Sequence, residues 1–225
     1  MRSFRFNLKP ADGDPLTGQS KWWGQPDMPD DLEYPMIPYE DGDDDPMTFV
    51  CQIRCADLAD LDTEDLLPHE GMLYFFADID DYVGELRDKR GDVDDDDDYD
   101  DYGGDYFTGM GEWGPGAFKV LYSPHEEDLH THRVFGPDGE PYCLPAERVT
   151  FEVCEPNELS TRLLGEPFEI EVAQEFPEHI SLLQLWEEDR WRFFMYDCGI
   201  LSFLILPEDL KARRFDCVKV YLHSC

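Results

Sequence analysis

The sequence predicts an α+β protein made mainly of antiparallel sheets, with a few short helices. Three observations lead to this prediction. Short runs rich in strand-forming residues recur along the whole chain, whereas segments with helical spacing are few and short. Hydrophobic residues make up 41% of the chain and aromatic residues 14%, which is enough for a substantial core. A chain in which strands dominate in this way favours antiparallel pairing.

The predicted strands are recognised by alternation or by continuous apolar runs. Phe4, Phe6 and Leu8 alternate with polar residues, and residues 71–76 form a run of strong strand formers that is too short for a helix. In chain order, the predicted strands span residues 4–8, 47–53, 71–76, 117–122, 148–153, 168–172, 181–186, 191–196, 200–206 and 215–222.

The predicted helices are short and are bounded by helix-stopping or helix-starting residues. Residues 56–67 carry leucines near helical spacing and precede Pro68. Residues 157–164 follow Pro156 and end at Gly165, and Pro207 opens a helical turn at residues 208–211.

The chain length suits one domain spanning residues 1–225. Nine of the fourteen residues from 92 to 105 are Asp, and charges this dense cannot pack together, so a disordered acidic loop is predicted at residues 88–106. Two short segments, FVCQI around Gln52 and LLQL around Gln184, each precede a glycine-led strand. This echo predicts similar halves, residues 1–115 and 116–225, although matches this short can also arise by chance.

Charge and cysteine content restrict the functional classes. Asp and Glu number 53 against 18 Lys and Arg, for a net charge of −35. Such a surface repels nucleic acid and anionic membranes, so neither is expected as a partner. The seven cysteines include no C-x-x-C pair, and the N-terminus lacks the apolar stretch of a signal peptide, so a reduced, cytoplasmic protein is expected.

An ordered set of motifs resembles the YwqG-like family, a bacterial domain of unknown function. The motifs are S-K-x-x-G-x-P, F-V-x-Q-I, L-P-x-x-G-x-L-x-F-F, L-L-G-x-P, L-L-Q-L and D-x-G-x-L-x-F-x-I-x-x-x-D-L, at residues 20–26, 49–53, 67–76, 163–167, 182–185 and 197–210. The resemblance implies a mixed α/β fold with a duplicated sheet and no established activity, and it hints at an immunity-like role. Trp23 stands where the family often has glycine, and the Asp-rich segment is an addition.

Few residues suggest chemistry. His130 and His132 could share one face of a strand and contribute to a zinc site, but the spacing of the neighbouring His125 does not fit the helical zinc motif. A polar hairpin between Tyr122 and Val134 is the favoured interpretation, so no metal site and no cofactor is predicted.

The remaining candidates are aromatic or polar residues in apolar surroundings. Trp22 and Trp23 lie in a Pro-flanked loop and are candidate partner-binding residues, because Trp is enriched at binding hot spots; the alternative is that they cap the core. Gln52, Gln184 and Asp197 sit in apolar strands, where they either join the halves or line a cleft between them.

The sequence therefore favours a non-catalytic, acidic protein-binding module that docks a basic protein. The alternative is a small-molecule or metal-dependent enzyme that uses a cleft between the two halves. The oligomeric state is not predicted.

Overall fold

The computed structural model describes residues 1–38, 44–90, 104–136 and 139–224. Most of the acidic loop predicted at residues 88–106 lies outside the described residues, apart from its two ends. The strands are β1 (Ser3–Pro10), β2 (Lys21–Trp22), β3 (Asp27–Met28), β4 (Met36–Pro38), β5 (Asp44–Pro46), β6 (Thr48–Arg54), β7 (Met72–Ala77), β8 (Gly111–Glu112), β9 (Phe118–Ser123), β10 (His130–Thr131), β11 (Glu147–Cys154), β12 (Arg162–Leu163), β13 (Ile180–Trp186), β14 (Ile200–Ile205) and β15 (Lys219–His223). The helices are α1 (Gly84–Arg90), α2 (Ile170–Glu175) and α3 (Pro207–Lys211), with 3₁₀ turns at Cys55–Asp57, Asp80–Tyr82, Asp189–Trp191 and Phe215–Cys217.

Eleven of these strands form one large sheet, in the order β8-β15-β14-β13-β12-β1-β11-β2-β6-β7-β9. Every pair of neighbouring strands in it is antiparallel. The short ribbons β3–β10 and β4–β5 lie outside this sheet. The described part of the chain is thus mostly antiparallel sheet with three short helices, which confirms the predicted dominance of antiparallel strands.

On each side of the central pair β1–β11, the next four strands of the sheet follow one another in chain order. Outward from β1 come β12, β13, β14 and β15, and outward from β11 come β2, β6, β7 and β9. The pairing register of β6 shifts between Phe49 and Cys51, and that of β13 shifts between Ser181 and Leu183. Each shift lies just before a glutamine, Gln52 in β6 and Gln184 in β13.

Four predicted elements differ from the structure. The predicted helix 56–67 is reduced to the turn Cys55–Asp57, since the Asp62 carboxylate accepts the N–H groups of Leu66 and Leu67. Residues 157–164 form turns and then β12, which pairs with β1 and β13. The predicted strand 168–172 is largely replaced by α2, and the predicted strand 191–196 lies in a loop.

The main core lies against the large sheet and includes Trp22, Trp23, Trp191 and Phe193. A smaller cluster packs Met28 and Ile37 against the other face of β7, which alternates its side chains between the two clusters. None of the described helices has the length and apolar character needed to span a membrane.

Candidate functional site

The connection between β13 and β14, residues 187–199, is an irregular segment that we call the aromatic loop. Three of its non-glycine residues adopt left-handed backbone conformations: Arg192 with φ 50°, Tyr196 with φ 61° and Cys198 with φ 62°. Each such residue costs about 1–2 kcal/mol, so it persists only where the surrounding contacts impose it. Strained backbone of this kind is frequent at functional sites.

Hydrogen bonds fix the course of the aromatic loop. One carboxylate oxygen of Glu187 accepts the N–H groups of Met195 and Gly199, each at 3.1 Å. The loop also pairs with the residues around the start of α1: the N–H of Phe194 donates to the carbonyl of Tyr82 at 2.9 Å, and the N–H of Gly84, the first residue of α1, donates to the carbonyl of Arg192 at 3.0 Å.

Trp22 and Trp23 form the buried support of the loop and do not lie on the surface. Both are 1% exposed. Their rings lie 6.1 and 5.7 Å from the ring of Trp191, and Trp23 also contacts Phe193 at 6.2 Å. Because both indoles are buried, they cannot contact a partner directly, contrary to the expectation from the sequence. A partner can contact only the aromatic loop that packs on them.

The outer face of the loop carries exposed aromatic side chains. Phe194 is 43% exposed and Tyr196 is 58% exposed, although buried Phe193 and Met195 alternate with them. Asp197, the predicted cleft residue, is exposed beside them, and its N–H and carbonyl both bond the Ser224 hydroxyl. The loop therefore presents two aromatic rings and a carboxylate on a well-anchored backbone.

Gln52 belongs to a buried polar network. Its side-chain carbonyl accepts the N–H of Asp27 at 2.8 Å, and its amide donates to the Asp27 carboxylate at 3.1 Å. The same carboxylate accepts the Lys21 ammonium at 2.7 Å and the Thr131 hydroxyl at 2.8 Å. Burial lowers the pKa of Lys21, although the Asp27 charge acts in the opposite direction. Because Thr131 lies in β10, this network ties the β3–β10 ribbon to the large sheet.

Gln184 belongs to a second buried network, centred on Arg162. The Gln184 side-chain carbonyl accepts from Arg162 at 3.0 Å. The guanidinium also donates to the backbone carbonyls of Glu158, Leu164 and Glu166. Burial lowers the pKa of Arg162 to about 10. Gln52 and Gln184 are each 0% exposed, so both amides bond inside the fold and neither lines an open cleft.

The two networks share a sequence signature that was not recognised from the sequence. Residues 20–26 read SKWWGQP and residues 161–167 read TRLLGEP. Lys21 is paired in register with Gln52, and Arg162 is paired with Gln184. Trp23 and Leu164 have φ of 54° and 55°, and each is followed by a left-handed glycine. An alignment of the two seven-residue segments reveals the relationship, since the residues at matching positions are identical or chemically similar.

A cleft of about 690 Å³ lies between residues 29–31 and 124–128, and we call it the acidic cleft. Its lining includes Asp30, Asp31, Glu70, Glu127 and Asp128, all exposed, together with Glu126. Burial acts to raise the pKa of Glu126, but its bonds to the Gly71 N–H and the Arg54 guanidinium outweigh this and hold the pKa below the usual range of a glutamate.

His130 and His132 lie near this cleft. His130 is exposed, with a ring nitrogen 3.7 Å from the Asp30 carboxylate, and His132 stacks on Tyr34 at 4.7 Å. Within the described ranges, no three His, Cys, Asp or Glu residues are arranged to hold a metal ion.

Comparison with known proteins assigns a family but no activity. No curated protein matches the chain. The family described as "Domain of unknown function (DUF1963)" matches residues 20–158 and 123–225, which together include both SKWWGQP and TRLLGEP. The chain therefore belongs to the DUF1963 family.

Proposed function

We propose that the chain is a non-catalytic protein-binding module that docks a basic protein through the aromatic loop. The observation that carries this proposal is the exposure of Phe194 and Tyr196 on a backbone that buried contacts hold in place. Preorganised aromatic side chains are typical anchors of binding hot spots, because little conformational entropy is lost when they are covered.

The charge of the chain supports a basic partner. At a net charge of −35, long-range attraction accelerates encounter with a positively charged protein. At the loop itself, exposed Asp189 and Asp197 lie in sequence on either side of the two rings. Arg or Lys side chains of the partner can thus stack on Phe194 or Tyr196 and pair with a carboxylate.

We further infer that the chain arose by duplication of a five-stranded unit. The support is the regular strand order around β1–β11, the matching register shifts in β6 and β13, and the two related seven-residue segments. In this proposal β1, β2, β6, β7 and β9 form one unit, and β11 to β15 form the other. The boundary then falls after β9, and not between residues 115 and 116.

The test is affinity capture at low salt with three forms of the protein: wild type, the double variant Phe194→Ser/Tyr196→Ser, and the control Ile170→Ser. Ile170 is 67% exposed and lies in α2, so its replacement removes a similar exposed apolar surface elsewhere. All three should unfold at similar denaturant concentrations, since exposed substitutions change stability by about 0.5 kcal/mol or less.

The proposal requires a basic protein that wild type and Ile170→Ser retain and that the double variant binds at least ~10-fold more weakly, a change of about 1.4 kcal/mol. The affinity of the wild-type protein for this partner should fall as the salt concentration rises from about 50 to 500 mM, since the Debye length shrinks to roughly 4 Å. Equal retention by the double variant, or an affinity insensitive to salt, would refute the proposal.

A further inference from the structure

A further groove is lined in part by the first residues of the aromatic loop. We call it the central groove, and its volume is about 780 Å³. Its lining comes from β1, β2, β11, the segment before β12, the end of β13 and the start of the aromatic loop. The volume is within the range typical of small-molecule sites. Phe194 and Tyr196 do not line it, so it is distinct from the proposed docking face.

The charge of the central groove differs from that of the chain. Its lining holds three cations, Arg5, Lys9 and Arg190, and three carboxylates, Glu152, Glu187 and Glu188. By contrast, the whole chain has 18 Lys and Arg against 53 Asp and Glu.

Most of these charges are already satisfied within the protein. Arg5 pairs with Glu152 at 2.8 Å, and Arg190 pairs with Glu188 at 3.4 Å. Glu187 is engaged by two backbone N–H groups. A charged ligand would have to displace these pairs, and an anion would in addition be repelled by the net charge of the chain. The balance favours a neutral ligand.

Two polar atoms of the lining residues have no hydrogen-bond partner within the part of the chain that the structure describes. They are the indole N–H of Trp22, a side chain that is 1% exposed, and the hydroxyl of Ser160. Buried donors without partners are uncommon in folded proteins and call for an unseen acceptor. Both atoms are buried below the surface, so a ligand in the groove can reach them only through a bridging water.

The groove also has a flat apolar wall. Trp186 is partly exposed, whereas Trp191 is 6% exposed and lies beneath the Arg190 guanidinium at 4.5 Å, so Trp186 supplies the accessible indole face. Apolar C–H faces pack on indole rings, and the paired guanidinium and carboxylate groups beside them can exchange hydrogen bonds with hydroxyls, which both donate and accept. We propose that the central groove binds a neutral, polyhydroxylated ligand, a short oligosaccharide.

The test uses intrinsic fluorescence, because three of the five tryptophans line the groove. The protein is titrated with three neutral trisaccharides, maltotriose, cellotriose and N,N′,N″-triacetylchitotriose. A saturable change is expected for at least one of them, with a Kd of about 1 mM or tighter. Trp186→Ala should weaken that binding at least ~10-fold, and Ser160→Ala should weaken it several-fold. The double variant Phe194→Ser/Tyr196→Ser should bind as wild type does, which separates this site from the docking face.

Three results would overturn the proposal. One is the absence of saturation for all three sugars at concentrations up to about 50 mM, far above any Kd expected for a built site. Another is equal affinity in folded Trp186→Ala or Ser160→Ala. The third is saturable binding of a charged trisaccharide with no response to the neutral ones, since the groove would then select charge.

Discussion

The indole of Trp23 meets that of Trp191 edge to face, with ring centroids 5.7 Å apart. This contact joins the segment after β2 to the aromatic loop, although the two residues are far apart in the sequence. Trp191 is itself 6% exposed and also contacts Trp22. The contact explains how a loop with three left-handed non-glycine residues keeps one conformation.

Replacement of Trp191 by Ala should therefore destabilise both the fold and the loop. Loss of a buried indole costs about 3–5 kcal/mol in the free energy of unfolding, which denaturant titration measures. Hydrogen exchange at the amides of Met195 and Gly199 should accelerate more than at β7, because the loop loses its inner support. The conservative Trp191→Phe should recover most of the protection. Unchanged exchange at both amides in a folded Trp191→Ala protein would show that the loop does not depend on this ring.

The buried pair of Lys21 and Asp27 predicts strong coupling. Asp27→Asn leaves the ammonium without its counter-charge, and Lys21→Met leaves the carboxylate with only uncharged donors. Each single change should cost about 3–5 kcal/mol.

The double variant Lys21→Met/Asp27→Asn measures this coupling. It should be clearly less destabilised than the sum of the two single variants, since no unpaired charge remains in the core. A thermodynamic cycle from urea titrations gives the coupling energy, and simple additivity would contradict the buried pair.

Some elements could be predicted from the sequence because local pattern and tertiary structure agree there. The continuous apolar runs of β7 and β14 are buried on both faces and were recognised as strands. The aromatic loop was mistaken for a strand because its side chains alternate: Phe193 and Met195 point inward while Phe194 and Tyr196 point outward. Alternation with a period of two shows only that every second side chain is buried, and it does not require a strand. Here the alternation occurs in a loop whose backbone is held by hydrogen bonds to Glu187.

The candidate site was less accessible from the sequence. Whether a tryptophan in a Pro-flanked loop is exposed depends on its partners, and those of Trp22 and Trp23 come from the β13–β14 connection. Gln52 and Gln184 stand out in the sequence because a polar side chain in an apolar strand needs hydrogen-bond partners. Their partners, Lys21 and Arg162, could have been found by aligning SKWWGQP with TRLLGEP.

Gly165→Ala should destabilise the protein much more than Gly13→Ala, because the surroundings of the two glycines differ. Its φ is 131°, and an added Cβ would collide with the Arg162 guanidinium and the Ser3 hydroxyl. Gly13 has φ 86°, but no atom lies within 4 Å of its missing Cβ. Gly13→Ala should therefore cost about 1 kcal/mol from backbone strain alone. Gly165→Ala should cost at least ~3 kcal/mol, since it also disrupts the buried Arg162 network. Similar unfolding midpoints for the two variants would refute this account.

Glu126 predicts a pH dependence of stability. Burial acts to raise its pKa, but the bonds from the Gly71 N–H and the Arg54 guanidinium hold the pKa below that of an ordinary glutamate, so these bonds stabilise the fold above the unfolded-state pKa. This contribution is lost as the pH falls through the folded-state pKa, because the unfolded state then binds the proton more readily. Between about pH 6 and 3, the free energy of unfolding of wild type should fall more steeply than that of Glu126→Gln. Glu127→Gln, an exposed neighbour, provides the matched control and should follow wild type. Parallel curves for Glu126→Gln and wild type would show that this carboxylate does not anchor the wall of the acidic cleft.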